Sequence, residues 1–287
     1  MATNKIILRT VEEFMSDYQP VYNPLYSLFL GSSQEYPAEA GVQNFRRVEA
    51  VGDIRAKRVT PKDTELKLVS AAGSNKSFKK YFLANKFVTS GLQSTEGNEE
   101  VIEQVLDEHQ AQMDELLLFG DGTSDETVIN NGLFYSADVN FTEESSAAIA
   151  SGSTRLGLLH SAILGTLEKA RNLDGRKIIL VYGSTLIPYM NSLFETVARP
   201  LSAVLEDSLS ADETIVKMPA YVTPAGVNGW LVINLDRIKL HYTTLPQLIS
   251  QDYNEEDMYY WHNFMMGSVM VDVLAKDAII KQPITFS

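Results

Sequence analysis

The sequence contains no cysteine, which removes disulfide staples and thiolate metal ligation at once. It has no run of about 18 apolar residues, the length a membrane-crossing helix needs. The opening MATNKIILRTVEEF lacks the apolar core and small-residue cleavage site of a secretory signal. Cations are outnumbered, 24 Lys/Arg against 37 Asp/Glu for a net charge of −13. That balance argues against the whole chain binding nucleic acid, because phosphate contacts need clustered positive charge. The expected location is the cytoplasm or a particle assembled there.

What is present describes a folded chain. Its 287 residues are 45% hydrophobic and 21% charged, with 13 Tyr, 12 Phe and 2 Trp, enough for one large domain or two small ones. Charge is distributed unevenly. Residues 41–90 hold 11 Lys/Arg and 4 Asp/Glu, a balance of +7, whereas residues 91–150 hold 14 acids and no Lys or Arg. A basic segment followed directly by an acidic one calls for a partner as well as a solvent.

Along the chain, residues 1–34 read as an arm, interrupted by Pro20 and Pro24 and supplied with apolar anchors at Phe14, Tyr18, Tyr22, Leu25, Phe29 and Leu30. Residues 35–90 read as extended strands, with a turn at Gly52-Asp53, partial alternation over Glu65–Val69 and a tip at Ala71–Ser77. Phe78–Val88 reads as the returning strand. A two-stranded excursion with little core of its own is marginal in water and rests against something else. The spacing of Val101, Val105, His109, Met113 and Leu116/Leu117 predicts a helix over 97–119, capped by Asn98, favoured by Glu99, Glu100 and Glu103 at its positive end, and stopped at Gly120. That helix is expected to act as a strut, with Asp107, Glu108 and Asp114 off its apolar face. A second helix over 154–171 carries Leu156, Leu159, Ile163, Leu167 and Ala170 on one face. Lys177–Tyr182 is a buried strand, followed by Gly183-Ser184-Thr185 and a helix to about Val197. Strands are expected over 215–222 and 230–242, and from Met258 to Phe286 with a break near Lys276-Asp277.

No catalytic constellation emerges. The four histidines, His109, His160, His241 and His262, sit in no ligand motif; the residue three before His109 is Leu106, where a di-metal bundle site needs Glu. Gly183-Ser184-Thr185 could cradle an anion, but no phosphate loop, dinucleotide fingerprint or nucleophile elbow surrounds it, and a helix cap is the simpler reading. Asp121, Asp125 and Glu126 do not match a calcium-loop spacing. Catalytic residues, cofactors and metals are therefore all assigned as none. The basic residues Arg46, Arg47, Arg55, Lys57, Arg58, Lys62, Lys67, Lys76, Lys79 and Lys80 lack interleaved base-stacking motifs and lie next to strong acidity, which favours a protein partner.

The order of parts carries a resemblance. The stretch Asp114-Glu115-Leu116-Leu117-Leu118-Phe119-Gly120-Asp121-Gly122-Thr123, followed by Asn131-Gly132-Leu133-Phe134, and the closing strands from Met258 to Phe286, resemble the major capsid proteins of tailed bacteriophages with the HK97-like fold. The resemblance implies an α+β chain: N-terminal arm 1–34, extended loop 35–95, peripheral domain 96–150 with a long spine helix and closing strands 255–287, and α/β axial domain 151–254. It implies a structural, non-enzymatic protein of the virion capsid. Such a protein assembles in the host bacterial cytoplasm into hexamers and pentamers of an icosahedral shell around double-stranded DNA, which is enclosed without sequence-specific binding and without a membrane. A separate scaffolding protein and a portal are the implied partners, and whether a decoration protein binds outside is not given by the sequence. Because the extended loop of such proteins lies over a neighbouring subunit, Arg55, Lys57, Arg58, Lys79 and Lys80 are expected to face Glu103, Asp107, Glu108 or Asp114 of a neighbour. Three rival readings stand beside it: an encapsulin-like compartment around a cargo enzyme, a small α/β enzyme using the Lys177–Ser184 strand and turn, and a tail or connector component.

Overall fold

The computed structural model describes residues 10–19, 24–51, 70–90, 95–120, 132–134, 141–150, 152–171, 177–193, 214–219, 228–254, 256, 258–275 and 278–286. Helices α1 (Val11–Asp17) and α2 (Leu25–Phe29) open the chain. Strands β1 (Ser33–Glu35), β2 (Gly41–Val51), β3 (Ser70–Lys80) and β4 (Phe82–Ser90) lead into the long helix α3 (Thr95–Phe119). Next come β5 (Phe141–Glu143), β6 (Ala147–Ile149), α4 (Arg155–Arg171), β7 (Lys177–Tyr182), α5 (Ile187–Asn191) and β8 (Thr214–Pro219). The chain closes with β9 (Gly229–Asn234), β10 (Ile238–Tyr242), β11 (Gln247–Asn254), β12 (Tyr259–Gly267), β13 (Val269–Val273) and β14 (Ile279–Phe286).

The largest sheet has the order β5-β14-β9-β7-β8, with β6 also on β14. Strand β9 is buried at every position, and Ile178–Val181 of β7 are at most 2% exposed. Such unbroken apolar runs belong to strands covered on both faces. Alternation then divides the side chains between two cores. Ile179, Val181, Leu231 and Ile233 join Met113 and Leu117 of α3. Ile178, Leu180, Trp230 and Val232 join Leu159, Ile163 and Leu167 of α4. The Trp230 indole N–H donates to Thr166 Oγ1 at 2.9 Å, so the one polar atom of a fully buried ring is satisfied.

Helix α3 touches two cores. Ile102 and Leu106 pack with Phe14, Leu248 and Phe264, while Met113, Leu117 and Leu118 pack under the large sheet. At about 1.5 Å per residue its 25 residues span roughly 37 Å, so it is a core element as well as a strut. The buried stripe is centred on Ile102, Leu106, Met113 and Leu117 and widens to His109, Gln110 and Asp114; Val101, Val105 and Leu116 lie at its edge. Elements packed on more than one side of the helix account for that width. Gly120, at φ 72, ends it as expected. The helix's last carbonyls then find donors in the returning chain: Leu133 N–H reaches Leu117 O at 3.0 Å and Phe134 N–H reaches Leu118 O at 2.9 Å. A Cβ on Gly132 would lie 2.0 Å from Phe119 N, so the Gly-Leu-Phe step is where backbone seals a helix end.

Several expectations are corrected. Asn98 lies inside α3 rather than capping it, and its side-chain amide donates to Ser90 O at 3.2 Å. Ala71–Ser77 form ladder pairs with Asn44–Ala50, so they belong to strand β3. Residues 52–69, with Gly52-Asp53 and Glu65–Val69, lie outside the described residues. The returning strand breaks at Tyr81, which separates β3 from β4. The strand expected over 230–242 breaks at Leu235–Arg237, where Asn234 Oδ1 accepts from Asp236 N–H at 3.1 Å, and its halves enter different sheets. Of the helix expected to about Val197, Ile187–Asn191 is α-helical and residues 194–197 lie outside the described residues. Strand β14 sits beside β9 in the large sheet, and β11 pairs with β12. Among the described residues no helix is long and apolar enough to cross a membrane.

Two glycine substitutions test this packing. Gly132→Ala is expected to lower subunit stability by about 3 kcal/mol or more, because the added carbon meets backbone. Gly157→Ala, in α4 with nothing within 4 Å of the new carbon, should raise it by about 0.5–1 kcal/mol. Urea unfolding of the dissociated subunit checks both.

Candidate functional site

The described residues among the expected contacts lie on the β2–β3 hairpin and on α3. Arg55, Lys57 and Arg58 lie outside the described residues. Lys79 and Lys80 end β3, whose eleven-residue antiparallel ladder with β2 runs from Gly41↔Lys80 to Val51↔Ser70. This pair forms its own two-stranded sheet, and at about 3.4 Å per residue the ladder is roughly 35 Å long. Its near end is fixed by an aromatic cluster: Phe78, Tyr36 and Met270 are buried, with Phe45 packed against them. The His241 ring stacks 4.4 Å from Phe45, and the Tyr36 hydroxyl is hydrogen-bonded to His241 Nδ1 at 2.8 Å. Lys80 is 8% exposed, so it belongs to this anchored end.

The acids divide between the two flanks of α3. Asp107, Gln110 and Asp114, spaced three and four apart, share one flank and hold the N-terminal arm. The Tyr18 hydroxyl donates to Asp107 Oδ1 at 2.6 Å, and the Tyr26 hydroxyl donates to Gln110 Oε1. Asp114 accepts from Leu25 N–H at 2.7 Å through Oδ2 and from Tyr26 N–H at 2.9 Å through Oδ1. The Asp114 carboxylate thus serves the first backbone donors of α2, and at 7% exposure it is taken out of the set open to a neighbour. Burial raises its pKa from 3.8 to about 6, against the lowering pull of the two backbone N–H groups. Burial, with a smaller contribution from the Asp114 charge, also holds the Tyr26 hydroxyl well above its ordinary range.

The opposite flank borders a groove. Glu108 and Glu115, seven apart, rim a groove of about 680 Å³ between α3 and β4, walled by Leu83, Phe87 and Val105. Glu103 and Glu108 are exposed. His109, expected as a polar contact, is buried: its Nδ1 lies 2.7 Å from Val105 O and its ring stacks on Phe264. Among the described residues no group of three or more His, Asp or Glu could hold a metal ion; Asp121, Asp125 and Glu126 lie outside them. The Gly183-Ser184-Thr185 turn is closed on itself. Gly183 N–H donates to Gly229 O at 3.1 Å and Gly183 O accepts from Leu186 N–H at 3.0 Å, so the turn offers an anion one donor fewer, and α5 has no side-chain cap.

The sequence reading missed the arm clamp and the groove. The signal for the first lay in the spacing of residues 107, 110 and 114; none marked the second.

No protein-family model matches the chain, and no curated protein matches it by sequence. Solved structures do match over most of its length. The capsid of Myoviridae phage XM1 aligns with a TM-score of 0.55 at 14% identity, covering 86% of each chain. The mature capsid of bacteriophage PhiM1 aligns at 0.52 and 12% identity, covering 94% of this chain and 89% of that one. A virus-like particle from Pyrococcus furiosus aligns at 0.57 and 11% identity, covering 95% of each. The chain is thus of the α+β class seen in shell-forming chains. Its particular fold is the HK97-like one.

The Asp114 clamp has a testable pH signature. A carboxyl whose folded pKa is raised contributes stability that is fully present below about pH 4 and lost as pH rises through about 6. The shift corresponds to about 3 kcal/mol. Wild type is expected to lose about that much stability relative to Asp114→Asn between about pH 4 and 7. Urea titrations across the range should show the difference; parallel profiles would mean that Asp114 keeps an ordinary pKa.

Proposed function

We propose that this chain is a capsid subunit that assembles with copies of itself into a closed shell. The observation that carries the reading is the match to phage capsids along most of the chain. Hexamers and pentamers of an icosahedral virion shell enclosing double-stranded DNA are the form it takes, with a separate scaffolding protein, a portal and a decoration protein as partners. Assembly takes place in the host bacterial cytoplasm. The subunit has a structural role and no enzymatic one. The arm (1–34), loop (35–95), peripheral parts (96–150 and 255–287) and axial part (151–254) act as functional regions, although strand pairing crosses their boundaries.

Within the shell, the basic hairpin meets the acidic helix of a neighbour. Arg55, Lys57, Arg58 and Lys79 supply the cations. Glu103 and Glu108 supply the anions, because Asp107 and Asp114 are engaged inside their own subunit. Each exposed pair contributes at most about 1 kcal/mol, so its value lies in steering and register, repeated at every contact.

The likeness to a virus-like particle supports a second reading, an encapsulin-like shell around protein cargo. Electron microscopy of the purified protein, with and without scaffold, decides between a shell and a small oligomer. Nucleic-acid and protein content of the particles then separates the two shells. Closed particles are expected; a monomer or dimer that nothing drives to assemble would sink the capsid reading. Assembly should also slow at least tenfold in Glu103→Lys/Glu108→Lys and on raising salt from about 0.05 to about 0.5 M. Rates indifferent to both would remove the charge argument.

A further inference from the structure

The two halves of α3 are held by different chemistry. In the C-terminal half, Asp114 accepts from the N–H groups of Leu25 and Tyr26 in α2. In the N-terminal half, Ile102 and Leu106 share a core with Phe14 of α1 and with Leu248 and Phe264 of the β11-β12-β4 sheet. His262 is two residues before Phe264, on the same face of β12, and pairs with Phe87 in the ladder. It is fully buried. Its Nε2 is hydrogen-bonded to Thr89 Oγ1 at 2.7 Å, while its buried Nδ1 has no partner among the described residues. Asn98 Oδ1, early in α3, is likewise buried without one. A second proton on the ring adds a charge and an N–H that finds no acceptor, which is costly out of water. Burial accordingly lowers the His262 pKa from 6.5 to about 4.

The groups around each site leave these signs in place. In the sheet, Lys86 and Asp252 pair with Asn263 and Trp261 on the face away from His262, and Tyr253 and Tyr260 share its face. From α1, Glu12, Glu13 and Asp17 are exposed, and Tyr18 is bonded to Asp107. From α3, Glu100, Glu103 and Glu108 are exposed, Glu99 is half-buried, and His109 stacks on Phe264. Around Asp114, α2 brings only Tyr26, and β13, packed through Val269 and Val273, brings Asp272, opposite Lys239 in its own ladder. We infer that protons transfer the hold on α3 from one half to the other: acid loosens the half packed on α1 and the small sheet and tightens the half clamped to α2. The two titrations have opposite signs. His262, with its depressed folded pKa, contributes stability that is present above about pH 6.5 and lost as pH falls towards about 4. Asp114, with its raised one, contributes stability that is present below about pH 4 and lost as pH rises through about 6. The inference concerns the subunit itself and does not depend on the self-assembly proposed above.

The test is hydrogen exchange of the full-length chain at its amides and at the imidazole C2 positions, read by mass spectrometry between about pH 7 and about 4.5 and corrected for intrinsic rates. On acidification, amide protection around Ile102 and Leu106 is expected to fall at least about tenfold, while protection around Met113 and Leu117 rises at least about tenfold. The His262 ring should stay neutral down to about pH 5. In His262→Gln, neutral throughout, the fall should vanish and the rise remain; Asp114→Asn should keep the fall and lose the rise. Where His262→Gln does not fold, C2 exchange of the wild-type ring decides, and a His262 that titrates near its ordinary pKa overturns the inference. Two halves that respond in the same sense would also overturn it. So would a fall that survives in His262→Gln, which would pass the role to His109.

Discussion

The arrangement depends on how the two flanks of α3 are covered. One flank is closed by the chain's own arm through Asp107, Gln110 and Asp114. The other keeps Glu108 and Glu115 at the rim of the groove beside β4. Sealing the first flank is costly, since a carboxylate must leave water, and burial accordingly raises the Asp114 pKa. The two backbone N–H groups it receives offset part of that cost. They also fix α2, a five-residue helix too short to hold together alone. With the arm settled, β1 reaches β10 and pairs in parallel, and the aromatic anchor of the hairpin begins at Tyr36.

A rigid centre makes this asymmetry usable. The large sheet is buried on both faces, and α3 closes one of them, so the helix cannot roll to hide its acids without opening a core. Its C-terminal end is tied down independently, through the donors of Leu133 and Phe134 and a Lys281 side chain that donates to Phe134 O at 2.9 Å.

Secondary structure was legible where a period survived. Helix α4 matched its Leu159, Ile163 and Leu167 stripe, and β7 matched its apolar run. Placement failed where composition and tertiary context disagreed. Ala71–Ser77 read as a tip because Gly and Ser favour turns, yet a ribbon that packs on little tolerates such residues as strand. Strand β11 was missed because Ser250, Gln251, Asp252 and Asn254 are polar, as suits a strand half-open to solvent. Asp114 was grouped with exposed acids because its partners, Leu25 and Tyr26, lie almost ninety residues earlier. No local signal reports a contact of that separation.

The charge pattern acquires a reason once the anchoring is considered. A chain with a balance of +7 over residues 41–90 and 14 acids in the next sixty could neutralise itself internally and leave nothing for a neighbour. Two features oppose that outcome. The hairpin's ladder is a separate sheet fixed at one end by Tyr36, Phe45, Phe78 and Met270, and its length carries the far end away from that anchor. The acids nearest the arm are consumed by hydroxyl and backbone donors, which carry no charge, so α3 remains negative after its own chain has folded. On the reading proposed above, the cations of residues 41–90 and the acids of α3 meet between subunits, where weak pairs suffice because every contact repeats them.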